Sequence, residues 1–343
     1  MKKMDYISFM NVIAALSVVF LHVNECFWEF APDSAYWWSA NLIESLFYFA
    51  VPVFFMMTGA TLLDFFERYD LKTYAVKRVK KTLIPYLVWS LLGLLVEIVL
   101  GLVKVEEINA KFLFDGIMNG NLVGIYWFFI SLFGCYLSIP VFAAIRPDLK
   151  KSIYLFLVSF GFVFNILLPF IVRLLWEDME YTMNIPVTGG YLFYVIAGYV
   201  LSRYKMGKTG CIGIYILGTA GFFVHCYGTY KLSIMSGEIN TFYKGYLNLP
   251  CVCFSIGVFV FLKVIGEKLM KRPRINKKIT MLENYTFEVF LLHLFVLKII
   301  RRVFPLLHYS LLYRLTVPFF VFILIAAGVW MARKIPFVRY ILP

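Results

Sequence analysis

The stretch Tyr6–Cys26, YISFMNVIAALSVVFLHVNEC, decides the fold. It is long enough to cross a bilayer, whose hydrocarbon core takes roughly 20 apolar residues of helix. It carries Asn11 near its start and His22 near its end. At about 100° per residue, eleven positions turn through roughly 1100°, three full turns plus about 20°. Asn11 and His22 therefore share one face, roughly 16 Å apart along the axis. Glu25 and Glu29 prolong that polar stripe if the helix continues. Titratable groups inside a span are costly, and they face a bundle interior or a water-filled cavity. The alternative is an N-terminal anchor whose His22 sits at the outer interface and only makes hydrogen bonds.

Apolar runs of this length recur to the end of the chain. Of 343 residues 62% are hydrophobic and only 15% charged, with 36 Phe. That composition excludes a soluble domain and implies an all-α, polytopic membrane protein. No hydrophilic stretch is long enough to fold a core alone, so residues 1–343 read as a single integral membrane domain. About ten transmembrane helices are expected, roughly at 6–26, 40–64, 82–103, 124–144, 152–174, 187–203, 210–229, 247–268, 283–304 and 313–332.

The net charge of +13 does not point to nucleic acid, because the basic residues sit in short loops between spans. Arg68, Lys72, Lys77, Arg78, Lys80 and Lys81 crowd one loop; Lys268, Lys271, Arg272, Arg274, Lys277 and Lys278 crowd another. Loops 27–39 and 175–186 on the opposite side have no Lys or Arg. This asymmetry, with Lys2 and Lys3 at one end and Arg333, Lys334 and Arg339 at the other, places both termini in the cytoplasm. The first span, with no small-residue cleavage site after it, is expected to be retained. One outer loop breaks the rule, being flanked by Lys298, Arg301, Arg302 and Arg314. Either that patch has a use, or its side chains snorkel at a tight turn. The six cysteines form no CxxC and read as small hydrophobes.

Several in-span features carry chemistry or packing. Glu44 lies toward the outer end of the second span, as partner to an outer-loop cation or as an acid in a cavity. Pro52 is expected to kink that span, and Gly59 to admit a neighbouring helix. In YAVKRVKKTLIPYLVW, 74–89, Arg78 and Lys81 share a helical face. They serve either as positive-inside charge on anionic lipid or, with Lys77, as a clamp for a phosphorylated cytosolic donor. Tyr126 and Trp127 suit an aromatic belt. Gly189, Gly190 and Gly198 suit close packing, and His225 reads as a packing histidine. Glu288 and His293 lie about 140° apart and do not share a face. There is no Walker or dinucleotide glycine pattern, no HExxH and no metal cluster.

Six segments, taken together, resemble the integral membrane acyltransferase 3 family, and within it the enterobacterial-common-antigen O-acetyltransferase type. They are the first span ending VVFLHV at His22, AVPVFFMMTGATLL at 50–63, and KRVKKTLIPY at 77–86. IYWFFISLFGCYLSIPVF at 125–142, LFYVIAGYVLSRY at 192–204 and TFEVFLLHLFV at 286–296 follow. Each is loose, but they keep their order over nearly the whole chain. The resemblance implies about ten spans in a bacterial cytoplasmic membrane. It also implies transfer of an acyl group, usually acetyl from acetyl-CoA, to a hydroxyl of a cell-envelope glycan. The family's first span has an Arg eleven residues before its His; here Asn11 stands in that place.

Under that resemblance His22 is the candidate general base, since an imidazole titrates near working pH. Glu25 is expected to orient its ring, as the third member of a triad does. The developing oxyanion needs donors, which Asn11 or Tyr or Thr side chains are expected to supply. Arg78, Lys81 and Lys77 take the CoA phosphates, and Glu44, Trp127 and His293 bind substrate. A thioester already has a good leaving group, so no metal is expected. The rival is a transporter of a polysaccharide or small solute on the same fold, and Asn11 in place of Arg favours it.

Overall fold

A computed structural model describes residues 4–176, 178–335 and 342. Among the described residues the only regular structure is helical. Lys2, Lys3 and Arg339, on which the orientation of the termini leans, lie outside them. The chain divides into two compact units, one of residues 1–60 and 146–325, the other of 61–145 and 326–343.

The larger unit begins with α1 (Tyr6–Val23), unbroken over 18 residues. The expected second span is two helices, α2 (Ala35–Phe47) and α3 (Ala50–Leu62). The cause is Pro52. A proline cannot bond the carbonyl four residues back, here that of Tyr48, and its ring pushes that carbonyl away. The chain restarts at Ala50, which puts Pro52 in the first turn, where a missing N–H costs nothing. The outcome is a two-residue interruption at Tyr48 and Phe49 inside a stretch, 35–67, that still forms one membrane-length helical segment.

The smaller unit holds α4 (Leu71–Arg78), α5 (Ile84–Val99), α6 (Ala110–Asn119) and α7 (Trp127–Ala143). Asp70 caps α4 by accepting the Thr73 N–H at 3.0 Å, so the basic run is helical and not a loop. A π-turn, Val79–Leu83, joins α4 to α5. Pro85 lacks the N–H that would bond Lys81, and a widened turn absorbs the defect. In α7, Pro140 frees the carbonyl of Tyr136 in the same way, and the Tyr74 hydroxyl donates to it at 2.9 Å. That bond ties α4 to α7.

The larger unit continues with α8 (Pro147–Phe162) and α9 (Leu168–Leu175), again joined by a π-turn just before a proline, Pro169. Then come α10 (Leu192–Arg203), α11 (Lys208–Ser236), α12 (Leu249–Leu269), α13 (Pro273–Glu283), α14 (Thr286–Val303) and most of α15 (Leu311–Ala332). Small residues set how these helices meet. A Cβ on Gly59 would overlap the Val195 carbonyl, and one on Gly198 would overlap Met56 backbone, so α3 and α10 touch backbone to backbone. Gly218 of α11 and Gly257 of α12 oppose each other; a Cβ on either would stand 3.2 Å from the other's Cα. Such contacts drive association in lipid, where apolar side chains gain nothing by leaving the hydrocarbon. α1 packs against α2, α12, α13 and α14.

Seven helical segments are long and apolar enough to cross a membrane. Two shorter apolar helices, Trp127–Ala143 and Leu192–Arg203, and α14 occupy the other expected positions. α14 carries Glu288, Lys298, Arg301 and Arg302, more charge than an idle span bears. α11 leaves Ile212, Ile216 and Phe223 each more than half exposed, a surface made for lipid. This is an all-helical polytopic membrane protein.

Candidate functional site

The site is built on the last turn of α1 and the middle of α14, both in the larger unit. His22 Nδ1 lies 2.8 Å from the carbonyl of Val18. A carbonyl only accepts, so Nδ1 carries the hydrogen and donates. His293 repeats the device, with Nδ1 at 2.8 Å from the Val289 carbonyl. In each ring the proton is thereby assigned to Nδ1, and Nε2 holds the lone pair. The two rings meet with centroids 5.0 Å apart. His293 Nε2 stands 3.3 Å from His22 Nδ1, so the lone pair of one ring faces the N–H of the other. His293 is fully buried, whereas His22 is only half-buried. Among the described residues His22 Nε2 has no hydrogen-bond partner. The outcome is an oriented imidazole with a bare, reachable nitrogen, backed by two acceptors on its other side.

Glu25 does not orient this ring. α1 ends at Val23, and Glu25 lies in the short 3-10 turn that follows. Its carboxylate pairs with Arg301 of α14, which also donates to the backbone carbonyl of His22. The orienting role expected of Glu25 belongs to the Val18 carbonyl. Asn11 shares the helix but not the site: its amide donates to Glu283 of α13 at 3.1 Å, roughly 16 Å down the axis from His22.

Glu44 of α2 is buried and accepts from Lys244 Nζ at 2.6 Å. Lys244 comes from the loop between α11 and α12. Its side chain is 3% exposed and that of Glu44 7%. The ammonium lies over the rings of Tyr48 at 3.8 Å, Phe27 at 4.9 Å and Trp28 at 5.3 Å. Burial pulls the Lys244 ammonium below the usual lysine range, against the attraction of Glu44. Of the two readings of Glu44, the structure gives the loop partner, Lys244.

Asn24, immediately after α1, fixes the surroundings. Its amide donates to the Ala40 carbonyl at 2.8 Å, and its oxygen accepts from Arg314 at 3.2 Å. Arg314 is fully buried and also reaches Ser39 at 2.7 Å. Two members of the basic patch around the α14–α15 loop, Arg301 and Arg314, therefore point inward and hold α1, α2, α14 and α15 together. His308 and Tyr309, on the loop between α14 and α15, both bond Glu29. That hydrogen bond raises the Tyr309 hydroxyl to about 12.

Trp127, Lys77, Arg78 and Lys81 belong to the smaller unit. Trp127 opens α7 and is half-buried. Lys77 lies 3.9 Å over the Tyr69 ring, and Lys81 is exposed. Arg78 rests against Tyr74 and Tyr136, 5.8 and 5.2 Å from their ring centroids. Among the described residues none of the three cations has a carboxylate partner, a donor set suited to phosphate. Among the described residues no three His, Cys, Asp or Glu side chains gather as metal ligands. All six cysteines are free.

The sequence matches the acyltransferase domain of the acyltransferase 3 family over residues 4–333. The chain belongs to that family. No curated protein and no solved structure matches it. Membership makes the protein a membrane acyltransferase, and an acyltransferase needs a base for the incoming nucleophile. In this member of the acyltransferase 3 family, the sequence signal for Arg301 and Arg314 is their place in a cation patch that breaks the loop-charge pattern; nothing local marks Lys244.

Proposed function

We propose that the protein is an O-acyltransferase of a bacterial cytoplasmic membrane. It moves an acetyl group from acetyl-CoA to a hydroxyl of a cell-envelope glycan, as the enterobacterial-common-antigen type of its family does. One observation carries this reading: His22 has its Nδ1 proton tied to Val18 and its Nε2 free. Nε2 takes the proton of the acceptor hydroxyl while that oxygen bonds to the acyl carbon. The carbon–sulfur bond breaks, and the same proton leaves with sulfur as the free thiol. In between, His22 is an imidazolium whose Nδ1–H faces two acceptors, the Val18 carbonyl and His293 Nε2. The donor contributes a thioester, activated without a metal. Lys77 and Lys81, which among the described residues have no carboxylate partner, are suited to its phosphates, and Trp127 is a candidate for the acceptor side.

The test is thiol release from acetyl-CoA by the purified protein in lipid, with an envelope-glycan extract as acceptor. Release should require both the extract and His22. A folded His22→Ala variant with full activity would remove the mechanism. Asn11, engaged by Glu283 where the family has an Arg, favours a transporter as the second reading. A carrier consumes no donor, so absent release, with no thermal shift on adding acetyl-CoA, would select it.

A further inference from the structure

The geometry points to a binding site for one anionic phospholipid in the groove between α4 and α7, its phosphate on Arg78 and an acyl chain along the groove. The inference does not rest on the reaction proposed above, and it assigns Arg78 to lipid and not to the acyl donor.

The groove has a structural origin. The π-turn at Val79–Leu83 and the proline inside α7, Pro140, both interrupt regular helix, and the Tyr74–Tyr136 hydrogen bond pins the two elements at that level. Beside this bond lies a cavity of about 380 Å³, lined by Leu71, Val79, Leu83, Phe133 and Leu137 among others. That size falls in the range of roughly 300–1,000 Å³ typical of ligand pockets. The groove is open to the outside: Leu137 is 81% exposed and Leu71 51%.

Among the described residues Arg78 is the only charged side chain in the lining. Its guanidinium rests against two tyrosine rings, which fix its plane, and its Nε is buried with no hydrogen-bond acceptor. A guanidinium has five N–H donors in a rigid fork that matches a phosphate, and a buried donor left unpaired is costly. No carboxylate lines the groove to answer it. Lys80 and Lys81, one turn on, are exposed and add to the positive field. An occupant must therefore be an anion at one end and hydrocarbon along the rest. The surrounding membrane supplies that molecule, and the helical basic run draws anionic headgroups.

Native mass spectrometry of the full-length protein released from detergent tests this, titrating phosphatidylglycerol against phosphatidylcholine of the same chains. One phosphatidylglycerol should bind about tenfold more tightly than phosphatidylcholine, the preference expected when a single cation meets an anionic headgroup. Arg78→Gln should erase the preference. Ala75→Trp, which fills the groove from α4 and leaves Arg78 in place, should erase the bound lipid. Arg78→Lys should keep part of the preference. Glycerophosphoglycerol, the headgroup without chains, should not compete. Equal binding of the two lipids, or a preference untouched by both Arg78→Gln and Ala75→Trp, would overturn the proposal. So would acetyl-CoA displacing the lipid in wild type, since Arg78 would then belong to the donor.

Discussion

Removing the ammonium of Lys244 should unfold the larger unit at markedly lower temperature. Lys244 and Glu44 are in contact at 2.6 Å with side chains 3% and 7% exposed. Lys244→Met keeps most of the volume and the packing against Phe27, Trp28 and Tyr48, but leaves the Glu44 carboxylate buried without its cation. Breaking a buried pair from one side costs about 3–5 kcal/mol. For a chain of this size each kcal/mol moves the midpoint by about 2 °C, so the fall should be about 6–10 °C. Glu44→Gln should fall less, since Lys244 keeps three aromatic faces worth about 0.5–2 kcal/mol each. The double variant Glu44→Gln, Lys244→Met has no orphan charge and should recover most of the loss, because a hydrophobic replacement of a whole buried pair is often neutral. Thermal unfolding can be followed with a thiol-reactive fluorophore, because Cys26, Cys135, Cys226 and Cys251 are buried until the fold opens. A drop of less than about 2 °C for Lys244→Met, or a double variant no better than the single, would refute the reasoning.

Three further outcomes are expected. Gly59→Ala and Gly198→Ala should each destabilise the α3–α10 contact by about 1–3 kcal/mol or more, read as a lower melting midpoint, because each new Cβ meets rigid backbone. Arg314→Met should cost about 1–3 kcal/mol by leaving the Asn24 oxygen and the Ser39 hydroxyl short of a donor; a midpoint within about 1 °C of wild type would count against it. Tyr309 should stay neutral well past the usual tyrosine range and ionise only near pH 12, since its hydroxyl donates to Glu29 and a raised pKa favours the protonated form. A spectrophotometric titration of wild type minus Tyr309→Phe reads this step directly. In Glu29→Gln the step should move back down toward pH 10, the ordinary value for tyrosine.

The helices were legible because each apolar run is a local signal. All ten expected intervals fall on helices, and even the split of the second span is written in Pro52, although a proline alone does not say whether a helix kinks or stops. Helical periodicity puts Asn11 and His22 on one face of α1. Their separate fates were not legible, because Asn11 meets Glu283 and His22 meets His293, partners some 270 positions away. The same holds for Lys244 and Glu44, 200 positions apart. Hydropathy assigns an outer-loop lysine to solvent, and nothing local to Lys244 says that three aromatic rings wait for it. Glu25 shows the opposite error: i+3 spacing is a sound rule inside a helix, but α1 ends two residues before it.

The two π-turns have a bearing on how this chain tolerates change. Each holds one residue more than the α-helical pitch requires, so the segment before it is rotated by about 100° relative to an unbroken helix. Pro85, which enforces the turn at Val79–Leu83, thereby sets the compass direction of Arg78 and Tyr74 from about two and three turns away. Deleting a single residue there would shorten the rod by about 1.5 Å and leave its hydropathy almost unaltered. Yet it would swing the whole basic face a quarter-turn away from Tyr136. The phase of that helix, more than its composition, is what such a deletion would destroy.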